Sequence, residues 1–278
     1  MQGELFSTAG QSHKAEAPQW AQLLADAVSQ PGRIHSAYSA FWDYSAGNQL
    51  LAMFECLGRG IQPGPINTFV GWKDLGRYVR KGEKALTLCM PVSCKRKSAK
   101  DDDADDENPP AHKSTFTRFT FKARWFVLAQ TDGAEYRPEP LPGWNEATAL
   151  AALEITHVPF DLFAGNVQGY ALGRQVSVSP IAFAQSRTLF HEIAHVLLGH
   201  TAESGRLADD DRTPRSLAEV EAESVALIVC ESLGLAGAEH SRGYIQQWIR
   251  GDSIPERSAQ RIFKAADQIL KAGQDKRA

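Results

Sequence analysis

The pattern His-Glu-Ile-Ala-His at residues 191–195 limits the possible folds of this chain more than any other feature of its sequence. Side chains four residues apart lie on one face of a helix, about 5–6 Å from each other, so His191 and His195 can bind one metal ion only if the segment is helical. Glu192 then lies beside that ion, where its carboxylate can accept a proton from water. We therefore predict a helix here, a metal site, and Glu192 as its catalytic residue.

The helix that carries this pattern is predicted to be buried. It extends over about 182–198 and repeats apolar residues at the spacing of one helix face, at Leu189, Ile193, Val196 and Leu197. Gly199 then ends it. Because two imidazoles in a protein core are costly without a ligand, burial favours a bound metal as the interpretation of the two histidines.

A third metal ligand has to come from another part of the chain, because catalytic zinc takes three protein ligands and leaves one position open. A second predicted helix, at 216–233, offers three carboxylates: Glu219, Glu221 and Glu223. Glu219 and Glu223 share one helix face, from which Glu221 points away. We expect Glu219 to bind the metal and Glu223 to accept a hydrogen bond from the outer nitrogen of a liganding histidine, with Glu223 as the rival ligand. Zn²⁺ suits these ligands, and Mn²⁺ or another divalent cation could occupy the same site.

His200 is a weaker candidate for the third ligand. In the extended pattern HExxHxxGxxH the last histidine would stand at position 201, which is Thr201. That pattern also needs a methionine after the helix, and the chain has methionines only at positions 1, 53 and 90. We expect His200 to cap the C-terminal end of the helix, where a positive charge is favoured.

The second half of the chain resembles the gluzincin-type metallopeptidases. The resemblance is carried by HEIAH and by Glu219-x-x-Ala222-Glu223, which is similar to the ExxAD and ExxAN helices of bacterial zincin families. It implies that a metal polarises the scissile carbonyl, that Glu192 takes a proton from water, and that a peptide docks along an edge strand, here 175–179. The proton donor in the transition state stays unassigned among three candidates, Tyr170, Arg212 and His240. A purely structural metal is the alternative.

The composition is that of an ordinary folded protein. Of 278 residues, 43% are hydrophobic and 23% charged, which excludes wholesale disorder and fibrous classes. No apolar stretch reaches the ~18 residues that a membrane span needs, and the N-terminus lacks the pattern of a signal peptide. We therefore expect a cytoplasmic protein without a membrane partner. The four cysteines are scattered without a CxxC pair, so we expect them to be reduced.

The chain is long enough for two domains, and its composition changes near the proline-containing stretch 136–145. We predict an α+β protein with a small α+β nucleic-acid-binding domain at 1–135, a linker at 136–145, and a mainly helical, zincin-like domain with a short edge β-sheet at 146–278. An acidic run makes 95–114 a flexible insert in the first domain. The predicted helices are 18–30, 45–57, 71–79, 146–156, 182–198, 216–233, 240–250 and 255–272, and the predicted strands are 85–94, 115–128, 169–172 and 175–179.

Basic and aromatic residues are interleaved in the first half of the chain. Between residues 59 and 100 there are ten basic residues and two acidic ones. Proteins bind nucleic acid single strands with rings that stack on unpaired bases and cations that follow the phosphates. The alternative is that the rings belong to the core and the cations to an ordinary solvated surface. The candidate DNA-binding residues are Tyr38, Trp42, Tyr44, Asn48, Arg59, Trp72, Lys73, Arg77, Arg80, Lys81 and Lys84.

Three stretches together resemble the ArdC antirestriction family of conjugative plasmids. They are PGRIHSAYSAFWDYSAGNQLL, FVGWKDLGRYVRKGEKALTLCMP and HEIAH. The resemblance implies an N-terminal domain that binds single-stranded DNA, a zincin-like C-terminal domain, and protection of incoming plasmid DNA from the restriction enzymes of the recipient. One alternative is a regulatory metalloprotease that cleaves a DNA-associated protein, such as a transcription factor or a restriction-enzyme subunit. A primase accessory protein is the other.

Overall fold

The first half of the chain begins with three helices and continues with short strands. The protein is described by a computed structural model over residues 19–95, 115–161, 167–201 and 214–275. The three helices are α1 (Trp20–Ser29), α2 (Arg33–Phe41) and α3 (Ala46–Gly58). The elements that follow are β1 (Ile66–Thr68), α4 (Phe69–Asp74), β2 (Arg77–Val79), β3 (Leu86–Lys95), β4 (Thr115–Val127) and β5 (Thr131–Gly133).

Two small antiparallel sheets complete this half. The larger has the strand order β1-β4-β3, and the smaller pairs β2 with β5. β3 and β4 pair from Leu86 and Trp125 to Lys95 and Thr115, which is the hairpin that the alternation of β-branched and aromatic residues predicted. Most of the predicted acidic insert at 95–114 lies outside the described residues, so its flexibility stays a prediction.

Two expectations for this half are wrong. The predicted helix at 71–79 ends at Asp74, and residues 77–79 form β2 instead. Gly76 has a φ of +71°, a conformation that L-residues with a side chain seldom adopt, and it turns the chain from helix into strand. Helix α2 was not predicted, because serine and histidine interrupt its apolar repeat; its buried residues are Ile34, Ala37, Tyr38 and Phe41.

Helices dominate the second half of the chain. The elements are α5 (Glu146–Ala152), β6 (Thr156–His157), β7 (Gly169–Leu172), β8 (Gln175–Val178), α6 (Gln185–Leu197), α7 (Arg215–Leu233), α8 (Ala238–Ile249) and α9 (Glu256–Ala272). The strand order β6-β8-β7 corrects one expectation, since β8 lies in the centre of this sheet and β7 forms an edge. The mixture of helices and small sheets confirms the predicted α+β class.

Helix α7 lies at the centre of the molecule. It has 19 residues, and nearly all of them from Ala218 to Ser232 are buried. A helix that is buried on every side has to be covered by several partners, and α2, α6, α8 and α9 all pack against it. Gly234, with a φ of +67°, ends it in a left-handed conformation. This central position lets α7 contact both halves of the chain.

Helix α1 is capped at both ends by side chains from the second half. The backbone N–H groups of Trp20 and Ala21 each donate to the Glu256 carboxylate, at 2.9 Å. At the other end, the Arg242 guanidinium donates to the carbonyl groups of Ala27 and Val28. The predicted division at 136–145 stays a prediction, but backbone groups at both ends of α1 depend on residues beyond it.

A buried ion pair between two residues of the second half of the chain contacts α2. The Arg242 and Glu231 side chains are each only 9% exposed and form a salt bridge. Glu231 also accepts a hydrogen bond from the Ile34 N–H at the start of α2, where the helix dipole favours a negative charge. The C-terminal part of α7 therefore contacts the N-terminal helices directly.

The remaining sequence expectations concern membranes and cysteines. Within the described ranges, no helix has the length and apolar character needed to cross a membrane. The four cysteines are unpaired, and two of them, Cys56 and Cys230, are buried.

Candidate metal centre and nucleic-acid surface

The two histidines of the HEIAH pattern lie on one face of α6, as helical spacing predicted. His191 Nε2 and His195 Nε2 are 3.0 Å apart, and both side chains are 14% exposed. Their rings meet nearly edge to face, with centroids 4.7 Å apart. Two imidazole nitrogens thus point at the same small volume from one helix.

Glu219 on α7 supplies a third donor atom to this volume. Its Oε2 lies 3.4 Å from His191 Nε2 and 3.8 Å from His195 Nε2. All three atoms lie within 4.8 Å of one another. With metal–ligand distances of about 2.0 Å, the ligands of a tetrahedral zinc ion are about 3.3 Å apart. The donor set His191, His195 and Glu219 therefore fits a single small divalent cation.

The electrostatics of this cluster suit a positive charge. Burial lowers the pKa of His191, but Glu219 and Glu223 outweigh that effect and raise it to about 9. Hydrogen bonds with His191 and His195 hold the pKa of the Glu219 carboxyl well below its ordinary value. The two shifts are two sides of one interaction, in which the carboxylates favour the charged imidazole and the imidazoles favour the charged carboxylate.

Glu223 lies behind His191 rather than beside the third donor. Its Oε1 is 3.3 Å from His191 Nδ1, the nitrogen that faces away from His195, and it also forms a salt bridge with Arg187. Burial raises the pKa of Glu223, but the charges of His191 and Arg187 outweigh burial and lower it to about 2. Glu223 thus lies on the side of His191 that faces away from the other donor atoms, and its supporting role stays a prediction.

The Glu192 side chain extends from α6 toward the edge strand β7. Its side chain is buried, and burial raises its pKa, although the neighbouring histidines act in the opposite direction. A Cβ atom at Gly169 of β7 would stand 3.0 Å from Glu192 Oε1 and 2.8 Å from the Thr188 side chain, so only glycine allows this approach. The proposed proton acceptor therefore lies against β7, an outer strand of the sheet.

His200 has a role that the sequence analysis missed. Its side chain does not cap α6, contrary to expectation: the backbone N–H of His200 donates to the His195 carbonyl, and the imidazole turns back toward α7. There His200 Nδ1 lies 3.0 Å from His195 Nδ1, and His200 Nε2 lies 2.8 Å from Glu221 Oε2. Glu221 points away from the three donors, as expected, and is fully buried. A buried glutamate needs a hydrogen-bonding or charged partner, and this requirement could have predicted the contact between Glu221 and His200.

The structure describes two of the three candidates for a proton donor. The Tyr170 hydroxyl donates to Asp161 at 3.1 Å, and the His240 ring contacts the ring of Phe183 at 5.0 Å. Arg212 lies outside the described residues. Tyr244 was not singled out in the sequence; burial raises its pKa, and so do the charges of Glu219 and Glu223.

Two of the predicted DNA-binding rings belong to the core. Tyr38 is 3% exposed and Trp72 is 1% exposed. The Trp72 Nε1–H donates to the Phe126 carbonyl at 2.7 Å, which fixes the indole beneath the sheet. The prediction that Tyr38 and Trp72 stack on bases is wrong, because neither ring face is accessible.

Four predicted polar contacts to DNA are used inside the protein instead. Asn48 exchanges two hydrogen bonds of 2.9 Å with the Cys89 backbone, which ties α3 to the edge of β3. Arg59, Arg77 and Arg80 all donate to backbone carbonyl groups of neighbouring loops and strands. These side chains hold the N-terminal fold together, so their polar groups are largely used in hydrogen bonds within the protein.

The other predicted residues remain accessible. Lys73, Lys81 and Lys84 are exposed, and no partner carboxylate is found for them among residues 19–95, 115–161, 167–201 and 214–275. Trp42 and Tyr44 line a cavity of about 800 Å³ together with Tyr136. The Tyr44 hydroxyl donates to the Ile66 carbonyl, and burial raises the pKa of Tyr44 to about 12.

A further basic surface, which we call the β4 surface, was missed. It consists of Arg118, Lys122 and Arg124 on β4, which are exposed and form no ion pair within the described part of the chain. Near its end Phe69 of α4 is 55% exposed, and its ring contacts Phe126 with centroids 6.5 Å apart. The spacing of the three cations at even positions of a strand was the signal for this surface.

Comparison with known proteins agrees with the resemblance found in the sequence. Residues 11–122 match the family model described as the N-terminal domain of anti-restriction factor ArdC. The metal-free crystal structure of the antirestriction ArdC protein from plasmid R388 has a TM-score of 0.53 with 20% identity, over 92% of this chain and 95% of that chain. Its Mn(II)-bound structure has a TM-score of 0.52 with 20% identity, over 94% and 100%. None of the curated proteins searched matches the chain.

Fold and site together define a protein in which an HExxH helix, a carboxylate-bearing helix and a small mixed sheet come together around a candidate metal centre. Residues 11–122 are identified as a member of the ArdC N-terminal domain family, and the chain as a whole shares the fold of the antirestriction ArdC protein from plasmid R388.

Proposed function

We propose that this chain is an antirestriction protein that binds single-stranded DNA without sequence preference and protects incoming conjugative plasmid DNA in the cytoplasm of the recipient. The observation that carries the proposal is the match of residues 11–122 to the ArdC N-terminal domain, joined to a fold shared with the R388 protein over nearly the whole chain.

The exposed cations and rings of the N-terminal region support binding of a single strand. Lys73 and the β4 surface offer charges that no carboxylate of the described residues neutralises, and Phe69 offers an accessible ring beside them. Such rings stack on unpaired bases, while the cations follow the phosphates. The cavity lined by Trp42 and Tyr44 offers a second place for a base.

Oligonucleotide binding by the full chain tests this proposal. The Lys122→Glu variant is expected to weaken binding of a single-stranded oligonucleotide and to reduce its salt dependence, because one phosphate contact is lost. Lys264→Glu on α9 is the matched control, since Lys264 is also exposed but lies far along the chain in the other half. Equal affinities for the two variants would contradict a role for the β4 surface.

We also propose that His191, His195 and Glu219 hold one divalent cation. Their convergence supports this, and so does the acidic surrounding of the two imidazoles. Zn²⁺ is the first candidate because of the two nitrogen donors, whereas the Mn(II)-bound R388 structure makes Mn²⁺ the alternative. Elemental analysis of the purified wild-type chain is expected to show about one metal ion per molecule. The His195→Ala variant is expected to contain none.

A second candidate function is hydrolysis of a peptide bond in a DNA-associated protein or a restriction-enzyme subunit. The position of Glu192 against β7, which is an outer strand of its sheet among the described residues, favours it. When bound, the cation supplies Lewis acidity toward a carbonyl oxygen and toward water. Within the chain, β7 would pair with an extended peptide, and the Glu192 carboxylate would accept the proton of the attacking water and pass it to the leaving nitrogen.

The variant Glu192→Gln separates the two functions. Glutamine keeps the shape of the side chain but is a far weaker base than a carboxylate, and it leaves the three donor atoms in place. If proteolysis is the function, this variant keeps its metal and loses protection against restriction in a mating assay. Undiminished protection would leave DNA binding as the function and would remove the peptidase proposal.

A further inference from the structure

The two histidines of the metal centre are supported by different partners. His191 Nδ1 faces a carboxylate, Glu223, at 3.3 Å. His195 Nδ1 instead faces another imidazole, that of His200, at 3.0 Å. The outer N–H of a liganding histidine usually donates to a carboxylate, a carbonyl group or water, so an imidazole partner calls for an explanation.

Hydrogen-bond chemistry assigns the protons along this chain of side chains. The Glu221 carboxylate can only accept, so His200 Nε2, 2.8 Å away, carries a hydrogen and donates it. A neutral His200 then has its lone pair on Nδ1, which accepts the N–H of His195 Nδ1. His195 is left with a lone pair on Nε2, the atom that faces His191 and Glu219.

Glu221 and His200 are themselves held in place. Arg261 of α9 lies 3.5 Å from Glu221 Oε1 and also donates to the Leu198 carbonyl at the end of α6. Gly199 has a φ of +72°, which turns the chain so that the His200 imidazole returns behind His195. Glu221 is fully buried, and the His200 side chain is 6% exposed. Neither group has water as a ready substitute for its partner.

We propose that His200 is a positioning residue of the metal centre. It accepts a hydrogen bond from the Nδ1–H of His195 and donates one from its own Nε2–H to Glu221. These two hydrogen bonds keep the lone pair of His195 Nε2 directed at the cation. This inference rests on the proposed metal site at His191, His195 and Glu219, because it concerns the tautomer of one of those ligands.

Two substitutions separate these two hydrogen bonds. The side-chain oxygen of asparagine can stand where the ring Nδ1 stood, so His200→Asn keeps an acceptor for His195 and loses the contact with Glu221. The side-chain nitrogen of glutamine can stand where Nε2 stood, so His200→Gln keeps the donor to Glu221 and loses the acceptor for His195. His157→Gln is the control, because His157 is exposed and lies outside the centre.

The experiment measures the affinity of each full-length variant for Zn²⁺ by competition with a chromogenic chelator, and the free energy of unfolding of each metal-free form. Loss of a partner behind a metal ligand typically lowers metal affinity 10–100-fold. We expect that loss in His200→Gln, little loss in His200→Asn, and none in His157→Gln. Unfolding is expected to rank the first two in the opposite order, because only the asparagine variant leaves Glu221 without a donor in the place of His200 Nε2.

A role limited to stability would make affinity follow stability, with the asparagine variant weakest in both measurements. That result, or zinc affinity in His200→Gln equal to that of the wild type, would overturn the inference alone. A wild-type chain that binds no Zn²⁺ would overturn the proposed site and this inference with it. As a spectroscopic check, NMR of the ¹⁵N-histidine, zinc-loaded protein should show a slowly exchanging His195 Nδ1 proton, and this protection should be lost in His200→Gln.

Discussion

The metal centre and the N-terminal surface differ in how their residues are placed. At the centre, His191 and His195 are linked by helix geometry, so their spacing in the sequence already determines that they share a face. In the N-terminal region the candidates were chosen by composition, and Trp72 lies inward while Lys73, its neighbour, lies outward. Spacing within one helix therefore predicts a site far better than the abundance of suitable side chains does.

The largest effect expected from this contrast is on stability. Trp72→Ala removes a ring that is 1% exposed, together with its hydrogen bond to the Phe126 carbonyl. Loss of a buried tryptophan costs about 3–5 kcal/mol of unfolding free energy. Denaturant titration measures that loss. Oligonucleotide affinity per folded molecule should stay the same. If the variant is stable but binds the oligonucleotide more weakly, Trp72 contributes to the binding surface after all.

The opposite behaviour is expected at the exposed ring of the same helix. Phe69→Ala should weaken single-strand binding by about 1–3 kcal/mol, because one stacking contact is lost. Its unfolding free energy should change by only about 0.5 kcal/mol, since the ring is largely exposed. Fluorescence anisotropy with a labelled oligonucleotide measures the first quantity. If Phe69→Ala binds normally, the surface next to α4 is not where the strand lies.

A smaller effect tests whether the two regions are energetically independent. Glu256→Ala removes the carboxylate that accepts from Trp20 N–H and Ala21 N–H at the start of α1. Loss of a helix cap costs about 0.5–2 kcal/mol. Because α1 and Glu256 lie in different halves, the unfolding transition should shift as a whole in calorimetry. Two separate transitions, with only one of them shifted, would indicate independent domains.

The smallest effect concerns single exposed charges. Lys84→Ala should lower the slope of log affinity against log salt by about 0.7 if Lys84 contacts one phosphate of a single strand. Arg59→Ala is the comparison, because the Arg59 guanidinium is already bound to Glu55 and to two backbone carbonyl groups. Binding of oligonucleotide across a salt series measures both slopes. If the salt slope changes equally in the two variants, the hydrogen bonds that Arg59 makes within the protein do not prevent it from contacting a phosphate.

The sequence predicted elements with a regular repeat well. Helices α6 and α7 and the β3–β4 hairpin appear close to the predicted bounds, since their periodicity depends only on neighbouring residues. Features set by distant contacts were missed. The segment 77–79 became a strand because β5 pairs with it, and β8 became central because β6 pairs with its second edge.

The same distinction holds within the metal centre. The donor atoms of His191, His195 and Glu219 were predicted from spacing on two helices. His200 was not, because its contact with His195 depends on the turn at Gly199 and on Glu221, a residue of another helix. Local geometry predicts which side chains can converge, whereas the groups that orient them come from tertiary packing.

The capping of α1 by Glu256 and Arg242 has a consequence for recombination between relatives. A chimera that exchanges the first 135 residues for those of a homologue would separate α1 from the groups that satisfy its terminal amides and carbonyls. Such an exchange would be tolerated only if the donor sequence brought matching end groups, or if positions 242 and 256 were transplanted with it. Inheritance of the N-terminal region is thus tied to that of helices α8 and α9.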